Sequence, residues 1–255
     1  MTGQGSAAKD RILADNQIVC TSVTRSVPRA FPQGVDVSTK LCVLGGTFNP
    51  IHYGHLAAAE EVCERLNLDR VLFIPSYIPP HKQEEDGPSA MQRLEMVRLA
   101  VSGNGRFQPS DIEIKRGGRS YTIDTIEDLR RLYPSTEFFF ITGLDSFIEV
   151  QTWHRWRELL TLCNFVVISR PGYNFTDLQT MDFMKSCKEE LIKLDRGDSS
   201  QSLVRTGPFT VYLETIPLYE VSSTDIRKRI RQGASVKYLL PEAVETYIIK
   251  NKLYV

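Results

Sequence analysis

Two histidines lie three residues apart where a helical pattern begins. They are His52 and His55, within the segment GGTFNPIHYGH at residues 45–55. Residues three apart on a helix share a face, so both imidazoles can point into one site. The N–H groups and the positive dipole end at a helix start favour an anion such as phosphate. A His-x-x-His pair could also bind zinc, but the sequence nearby offers none of the usual third and fourth ligands.

The loop before these histidines follows a short apolar run, Leu41–Leu44. Gly45 and Gly46 let the backbone pass close to a ligand, and Pro50 stiffens the loop. A glycine pair after a strand is more often a plain turn. Its placement between a strand and a helix that carries two histidines favours a nucleotide site. A P-loop is excluded because the sequence has no GKS or GKT.

From Lys40 onward, short apolar runs alternate with helical periods, which predicts an α/β fold with a doubly wound, mostly parallel sheet. Such sheets bind ligands outside the carboxyl ends of their strands. The predicted strands are Leu41–Leu44, Arg70–Pro75, Asp111–Ile114, Glu137–Thr142, Asn164–Ser169 and Thr210–Leu213. Predicted helices start at His55, Ser89, Thr122 and Trp153, and two more lie near the C-terminus.

The pattern divides the chain into an N-terminal extension, residues 1–39, and one domain, residues 40–255. The extension carries four basic and three acidic residues without a sustained period, which predicts a flexible tail. It could instead bind a partner. Residues 174–208 read as a helix over residues 176–194 followed by a polar loop, an elaboration of the domain surface.

Composition removes several classes of protein. Lys plus Arg and Asp plus Glu both number 31, so no overall charge attracts nucleic acid or an anionic membrane. The five cysteines fit neither a disulfide framework nor a CxxC zinc pattern, which indicates reduced thiols. No apolar run approaches the roughly 18 residues of a membrane span, and no apolar signal segment opens the chain. We therefore expect a cytoplasmic protein, and a homo-oligomer is compatible with the sequence.

The segment GGTFNPIHYGH resembles the signature of the HxGH nucleotidylyltransferase superfamily, whose fold is Rossmann-like. Alone it would also fit pantetheine-phosphate adenylyltransferases and cytidylyltransferases. Four further segments resemble those of nicotinate mononucleotide adenylyltransferases: SYIPPHK from Ser76, GRSYTIDT from Gly118, GLDSFIEVQTWHRW from Gly143 and VSSTDIRKRI from Val221. The resemblance covers about residues 40–253 and departs from the family's pattern at Asn49, Leu144 and Val221.

This resemblance implies two sets of binding residues. Those for ATP are Gly45, Gly46, Thr47, Phe48, His52, His55, Gly143, Asp145, Ser222, Ser223, Thr224 and Arg227. Those for the mononucleotide are His81, Lys82, Tyr121, Thr122, Trp153 and His154. His52, His55 and Arg227 are implied as catalytic, and no protein ligand is implied for the Mg²⁺ that the substrate phosphates would hold.

Each segment also has a plain structural interpretation. Pro79 and Pro80 could form a turn, Thr122 could cap a helix, and Trp156 is typical of a core residue. Residues 222–224 could cap a helix with a solvated basic face. Their joint occurrence favours the functional interpretation, with Trp153 rather than Trp156 at the site.

The implied reaction is transfer of AMP from ATP to nicotinate mononucleotide, giving nicotinate adenine dinucleotide and pyrophosphate in NAD biosynthesis. A phosphate monoester needs no general base at neutral pH, so catalysis would rest on placing two anions in line. Alternatives are another acceptor, such as nicotinamide mononucleotide, phosphopantetheine or a sugar phosphate, and a nucleotide sensor without turnover. A sensor could lose groups needed only in the transition state, yet His52, His55, Lys82 and Arg227 are all present.

Overall fold

The computed structural model describes residues 20–22, 39–79, 87–205, 207–217 and 219–255. These residues belong to two compact units. Of the described residues, those within 40–141 and 217–255 form the first unit, and those within 142–216 form the second together with residues 20–22 and 39. The predicted site residues His81 and Lys82 lie outside the described residues.

The first unit is built on four parallel strands in the order β5-β2-β3-β4. The chain runs outward from β2 to β3 and β4 and then returns to the other side of β2 for β5. This reversal creates a switch point between β2 and β5, where sheets of this kind bind ligands. The strands are β2 (Lys40–Gly46), β3 (Arg70–Pro75), β4 (Phe107–Pro109) and β5 (Glu137–Gly143), whose last two residues belong to the second unit.

Helices connect these strands and bury an apolar face. Helix α1 (Tyr53–Arg65) buries Ala58, Ala59, Val62 and Cys63. Helix α2 (Ala90–Val101) packs on β3 and β4. Ser89 is its N-cap, and the Ser89 hydroxyl accepts a hydrogen bond from the Gln92 backbone N–H. The other helices of this unit are α3 (Ile112–Arg116), α4 (Thr122–Leu132), α8 (Ser223–Arg231) and α9 (Glu242–Lys250).

The second unit contains four strands in the order β1-β7-β8-β6, of which β6 and β8 are parallel and β7 is antiparallel to both of its neighbours. The strands are β1 (Cys20–Ser22), β6 (Asn164–Ile168), β7 (Gln201–Arg205) and β8 (Thr210–Glu214). Its helices are α5 (Leu144–Ile148), α6 (Trp156–Leu159) and α7 (Lys188–Arg196), with 3-10 turns at Val150–Thr152, Phe175–Thr180 and Asp182–Cys187. None of the five cysteines, all of which are described, forms a disulfide.

The prediction of an α/β fold with a mostly parallel sheet is confirmed, and five of the six predicted strands are present. The strand predicted at Asp111–Ile114 is wrong, because these residues lead into helix α3 and the fourth strand lies at Phe107–Pro109. The two isoleucines of this short segment predicted the strand. The buried residue of the segment is Glu113, not an isoleucine, because its carboxylate has hydrogen-bond partners inside the protein.

The elaboration near residues 174–208 also differs from its prediction. The single helix predicted for residues 176–194 is two 3-10 turns followed by α7, because Met181 has an extended backbone. The Asp195 carboxylate accepts hydrogen bonds from the backbone of Phe175 and Thr176, which holds the first turn against α7. The stretch predicted as a polar loop runs into the antiparallel strand β7.

Three residues of the predicted N-terminal tail form β1, which pairs with β7. The Cys20 thiol lies 3.5 Å from the Ser202 hydroxyl. It also forms a hydrogen bond with the Cys187 thiol. The remaining residues before Thr39 lie outside the described part of the chain. The flexibility and partner predictions for the extension therefore stay predictions.

Candidate active site

The loop after β2 joins the sheet to helix α1 through a buried turn. Gly45 and Gly46 end the strand, and Phe48 follows with a left-handed backbone (φ 48°) and a buried ring. The Asn49–Pro50 peptide is cis. The loop ends at His52, the residue that precedes the first turn of α1. Residues 45–52 therefore place the helix start directly beyond the carboxyl end of the strand.

His52 and His55 lie together at this helix start, as their spacing predicts. Their rings stack with centroids 3.7 Å apart. The His55 Nδ1 atom accepts a hydrogen bond from the His52 backbone N–H at 3.3 Å. Because Nδ1 is an acceptor, a neutral His55 carries its proton on Nε2. The ring is thus set in the tautomer that can donate from Nε2.

Two neighbours fix the positions of these rings. The Phe48 ring meets the His55 ring edge-on, with centroids 5.1 Å apart at 77°. Gly54 lies against the other histidine, because a Cβ atom at this position would come within 3.1 Å of two atoms of the His52 ring. The glycine between the histidines therefore has a packing reason, and the Phe48 side chain supports His55 from the core.

Helix α8 meets the same loop from the C-terminal part of the chain. The Ser222 hydroxyl caps this helix by accepting from the Asp225 backbone N–H at 3.0 Å. The Ser223 hydroxyl donates to the Pro50 carbonyl at 2.9 Å, and the Arg227 guanidinium donates to the Asn49 carbonyl at 2.8 Å. The structure thus brings Arg227 and residues 222–224 onto the loop that carries the histidines.

The side chain of Asn49, one of the departures from the resembling family's pattern, has a partner of its own. The Tyr254 hydroxyl donates to the Asn49 Oδ1 atom at 2.7 Å in a buried contact. Burial raises the pKa of Tyr254, so the phenol stays protonated and remains a donor. The loop after β2 is therefore anchored from α8 and from the end of the described chain.

The predicted acceptor segment, Ser120–Thr122, lies beside the loop after β3. The Tyr77 backbone N–H donates to the Ser120 hydroxyl at 2.8 Å, and the Ser120 N–H donates to the Ile78 carbonyl at 2.9 Å. Tyr121 precedes the first turn of α4 without capping it through its side chain, and Thr122 is the first helical residue. The helix start can thus present backbone N–H groups to an anion.

Thr125, which also matches the resembling segment, is buried and structural. Its hydroxyl donates to the Glu113 carboxylate at 2.6 Å and accepts from the Arg116 guanidinium at 3.0 Å. Burial raises the pKa of Glu113, and hydrogen bonds from Ser120 and Thr125 partly offset that effect. This cluster ties α3 to the start of α4.

In the second unit, Gly143 and Asp145 lie beside an arginine. The Asp145 carboxylate is 3.5 Å from the Arg170 Nε atom. A Cβ atom at Gly143 would come within 2.6 Å of the same nitrogen and closer still to Asp145. Leu144 between them is fully buried, so this departure from the resembling sequences lies in the core.

Trp153 and His154 follow in the same unit as the second tryptophan. Trp153 is partly exposed and His154 is exposed. Trp156 instead stacks on Phe183, with centroids 6.4 Å apart, and the Arg157 guanidinium covers its ring at 4.5 Å. Trp156 is partly exposed like Trp153, so it is not a core residue, although Phe183 and Arg157 cover its ring. Trp153 keeps surface with which to stack on a ligand.

Three residues close to the predicted site were missed from the sequence. Arg170 stands two residues beyond β6, so the rule that ligands bind beyond strand ends could have found it. Arg93 lies on the apolar face of α2, and a charge at an apolar position is a signal of a buried role. No local pattern marks Tyr254, since it acts on a loop about two hundred residues away in sequence.

Across the described ranges, no group of three or more His, Cys, Asp or Glu side chains could hold a metal ion. None of the helices in those ranges is both long and apolar enough to cross a bilayer.

Comparison with known proteins gives a consistent result. The cytidylyltransferase-like family model matches residues 43–229. A probable nicotinate-nucleotide adenylyltransferase of Geotalea daltonii is 43% identical over 222 residues, covering 84% of this chain and 98% of that protein. A protein of the same name from Desulfitobacterium hafniense (strain Y51) is 41% identical, covering 84% of this chain and 95% of that protein.

A solved structure shares the fold. The Plasmodium falciparum nicotinic acid mononucleotide adenylyltransferase complexed with NaAD has a TM-score of 0.63 and 19% identity, covering 85% of this chain and 97% of that chain. The same enzyme complexed with APC gives a TM-score of 0.62.

Proposed function

Because the chain belongs to the nicotinate-nucleotide adenylyltransferases of the cytidylyltransferase-like family, we propose that the loop after β2 positions ATP for the reaction it catalyses. That reaction transfers AMP from ATP to nicotinate mononucleotide. Its products are nicotinate adenine dinucleotide and pyrophosphate. The observation that carries the proposed role is the stacked pair His52 and His55 at the start of α1, beyond the end of β2.

The histidine pair suits the charge that develops on ATP. His55 accepts the His52 N–H through Nδ1, so a neutral ring carries its donor proton on Nε2, which is proposed to donate to a phosphate oxygen. A fixed donor stabilises charge without reorganising during the reaction. Gly45 and Gly46 pack against the rings of Phe140 and Phe48. Together with Thr47 and Phe48, they are proposed to contact the nucleotide through the main chain.

Helix α8 supplies the second phosphate-binding group in this proposal. The Arg227 guanidinium has five N–H donors and uses some of them on Asn49 and Thr224. The others can donate to the β- and γ-phosphates. The first-turn N–H groups near Ser223 and Thr224 would add further donors at the positive end of the helix dipole.

The nucleophile needs no general base. A phosphate monoester has its second pKa at about 6, so nicotinate mononucleotide already carries a competent phosphate oxygen at neutral pH. That oxygen attacks the α-phosphorus of ATP, and the bond to the β-phosphate oxygen breaks as pyrophosphate leaves. The protein contributes in-line placement and neutralisation of the departing charge.

Acceptor binding is assigned to the segment at Tyr121 and Thr122, whose helix start suits the nicotinate carboxylate. His81 and Lys82 are proposed for the mononucleotide phosphate, although they lie outside the described residues. In the second unit, Trp153 is proposed to stack on the pyridine ring and the His154 main chain to bind the carboxylate. Gly143 and Asp145 are proposed to border the adenosine, with Arg170 holding Asp145 in place.

Mg²⁺ is proposed to arrive bound to ATP, and it would neutralise phosphate charge when present. A cytoplasmic location, a homo-oligomer and the absence of a nucleic-acid partner stay predictions.

The direct test incubates the full chain with ATP, Mg²⁺ and either nicotinate or nicotinamide mononucleotide, and measures pyrophosphate and dinucleotide. We expect turnover with the nicotinate form and much less with the nicotinamide form. Equal turnover with both would contradict the carboxylate role of Tyr121 and Thr122. ATP binding without turnover on either would favour a sensor or another acceptor.

A further inference from the structure

Arg93 is a buried arginine whose side chain serves main-chain groups of two loops. It lies within helix α2 and is only 5% exposed. Its Nη1 atom donates to the Thr47 carbonyl at 2.8 Å. Its Nη2 atom donates to the Ser76 carbonyl at 2.6 Å and to the Tyr77 carbonyl at 3.2 Å. One planar guanidinium thus links Thr47 to Ser76 and Tyr77, which lie 29 and 30 positions further along the sequence.

The carbonyls it bridges belong to the loops after β2 and β3. Thr47 lies in the loop that carries the histidine pair, and Ser76 and Tyr77 begin the segment that leads to His81 and Lys82. The two strands are neighbours in register, since Gly46 pairs with Pro75. Beyond this pairing the ladder ends with one further bond, from the Ser76 N–H to the Gly46 carbonyl at 2.9 Å. Arg93 continues the connection where the sheet stops.

A third segment joins the same arrangement through Ser120. The Tyr77 main chain is held on one side by Arg93 and on the other by the Ser120 hydroxyl. Ser120 directly precedes Tyr121 and Thr122. The loop after β3 therefore sits between Arg93 and the segment proposed to bind the acceptor.

Burying a charged group is costly unless its hydrogen bonds compensate. The hydrogen bonds that Arg93 donates end on carbonyl oxygens. The ionisable groups that act on its pKa are Tyr254 and Glu113, and both raise it. Burial lowers the pKa of Arg93, although a guanidinium remains charged in proteins. A leucine would fill this position of the apolar face at lower cost. The fork geometry therefore suggests a role beyond packing.

We infer that Arg93 is a positioning residue that holds the loops after β2 and β3 in fixed register, so that the ATP α-phosphorus and the acceptor phosphate meet in line. This inference rests on the proposed function of both loops. Each loop could still bind its own substrate without Arg93. What would be lost is their relative placement, on which the rate of an in-line displacement depends.

Lysine is the informative substitution because it keeps the charge and loses the fork. We expect Arg93→Lys to lower kcat by about tenfold to a hundredfold, as a displacement near 1 Å can do. The KM values for ATP and for nicotinate mononucleotide should each stay within a few-fold of wild type. A merely structural role would lower the melting temperature and leave kcat per folded molecule unchanged.

The matched control is Arg106→Lys, since Arg106 pairs with Glu60 on α1 and contacts neither loop through that bond. It should keep the wild-type kcat. The inference is overturned if folded Arg93→Lys keeps kcat within about threefold of wild type, or if only the KM values change. A wild-type protein without turnover would instead refute the proposed function, so the two failures are distinguishable.

Ser120→Ala keeps the test available if Arg93→Lys does not fold. It removes the other side-chain anchor of the Tyr77 main chain and leaves Arg93 in place. If loop register sets the rate, its kcat should also fall severalfold with little change in KM for ATP. A folded Ser120→Ala variant with wild-type kcat would count against the inference.

Discussion

At the scale of single residues, His55 is the side chain with the clearest chemical assignment. Its Nδ1 atom accepts a main-chain hydrogen bond, and Phe48 supports its ring. We expect His55→Ala to lower kcat by about a hundredfold, because one lost charge-stabilising donor costs about 3 kcal/mol. Steady-state kinetics with a melting curve as the folding control would measure this. A folded variant within threefold of wild type would refute the assignment.

Gly54 offers a finer test of the same geometry. A methyl group there would approach the His52 ring to 3.1 Å. We expect Gly54→Ala to displace the ring and reduce kcat by about tenfold, since small displacements in a positioned site are costly. Gly103→Ala is the matched control, because a Cβ atom there meets nothing within 4 Å. Equal kinetics for both variants would show that the ring adapts.

Residue types and their spacing predicted much of this site but only part of its structure. The pairing of His52 and His55 follows from helical geometry, because residues three apart share a face. The bonds from Ser223, Arg227 and Tyr254 to residues 49 and 50 could not be predicted from spacing, since they join segments at least 173 positions apart. Such contacts depend on how helices dock on the sheet.

At the scale of elements, the join between α3 and α4 depends on a buried acid. Burial raises the pKa of Glu113 above its usual 4.5. A raised pKa means that the protonated form stabilises the fold, so this contribution is complete below pH 4.5 and lost as pH rises through the folded-state pKa. We expect Glu113→Gln, which stays neutral, to lack this dependence.

Urea unfolding of both proteins from pH 4.5 to neutrality would measure it. The free energy of unfolding of the wild type should fall relative to that of Glu113→Gln as pH rises. Glu95→Gln, at a more exposed glutamate on α2, controls for the added amide. Parallel curves for wild type and Glu113→Gln would contradict the prediction.

The same element shows where sequence patterns mislead. Strands β2, β3 and β5 are buried apolar runs, which the sequence identifies well. Asp111–Ile114 has the alternation of a half-buried strand, yet its acid faces inward because Thr125 and Arg116 surround it. Alternation cannot reveal a partner that lies 12 residues away. Strand β7 was missed for a related reason, since its polar start resembles a loop.

At the scale of the whole molecule, the N-terminal extension contributes a strand. β1 covers β7, which would otherwise present an unpaired strand edge within its unit. We expect deletion of residues 1–39 to lower the melting temperature or promote self-association. Deletion of residues 1–19, which keeps β1, should do neither. Melting curves and size-exclusion chromatography would measure both effects.

The two deletions also separate a structural role from a partner role. If both truncated proteins match the full chain in stability, mass and kcat, β1 has no stabilising function and the extension serves neither purpose under those conditions. Loss of stability on the longer deletion alone would assign the extension to the fold. The sequence could not reveal this role, because three residues are too few to show a period.

Among the described residues, the acceptors of Arg93 are all main-chain carbonyls, and this affects how such an enzyme can change over evolutionary time. Hydrogen bonds to the main-chain carbonyls of Thr47, Ser76 and Tyr77 do not depend on which side chains these residues carry. Mutation can therefore explore new side chains beside the substrates while the loops keep their positions. The tether itself requires the arginine side chain, so a library that randomises residues 76 and 77 should retain more activity than one that randomises residue 93.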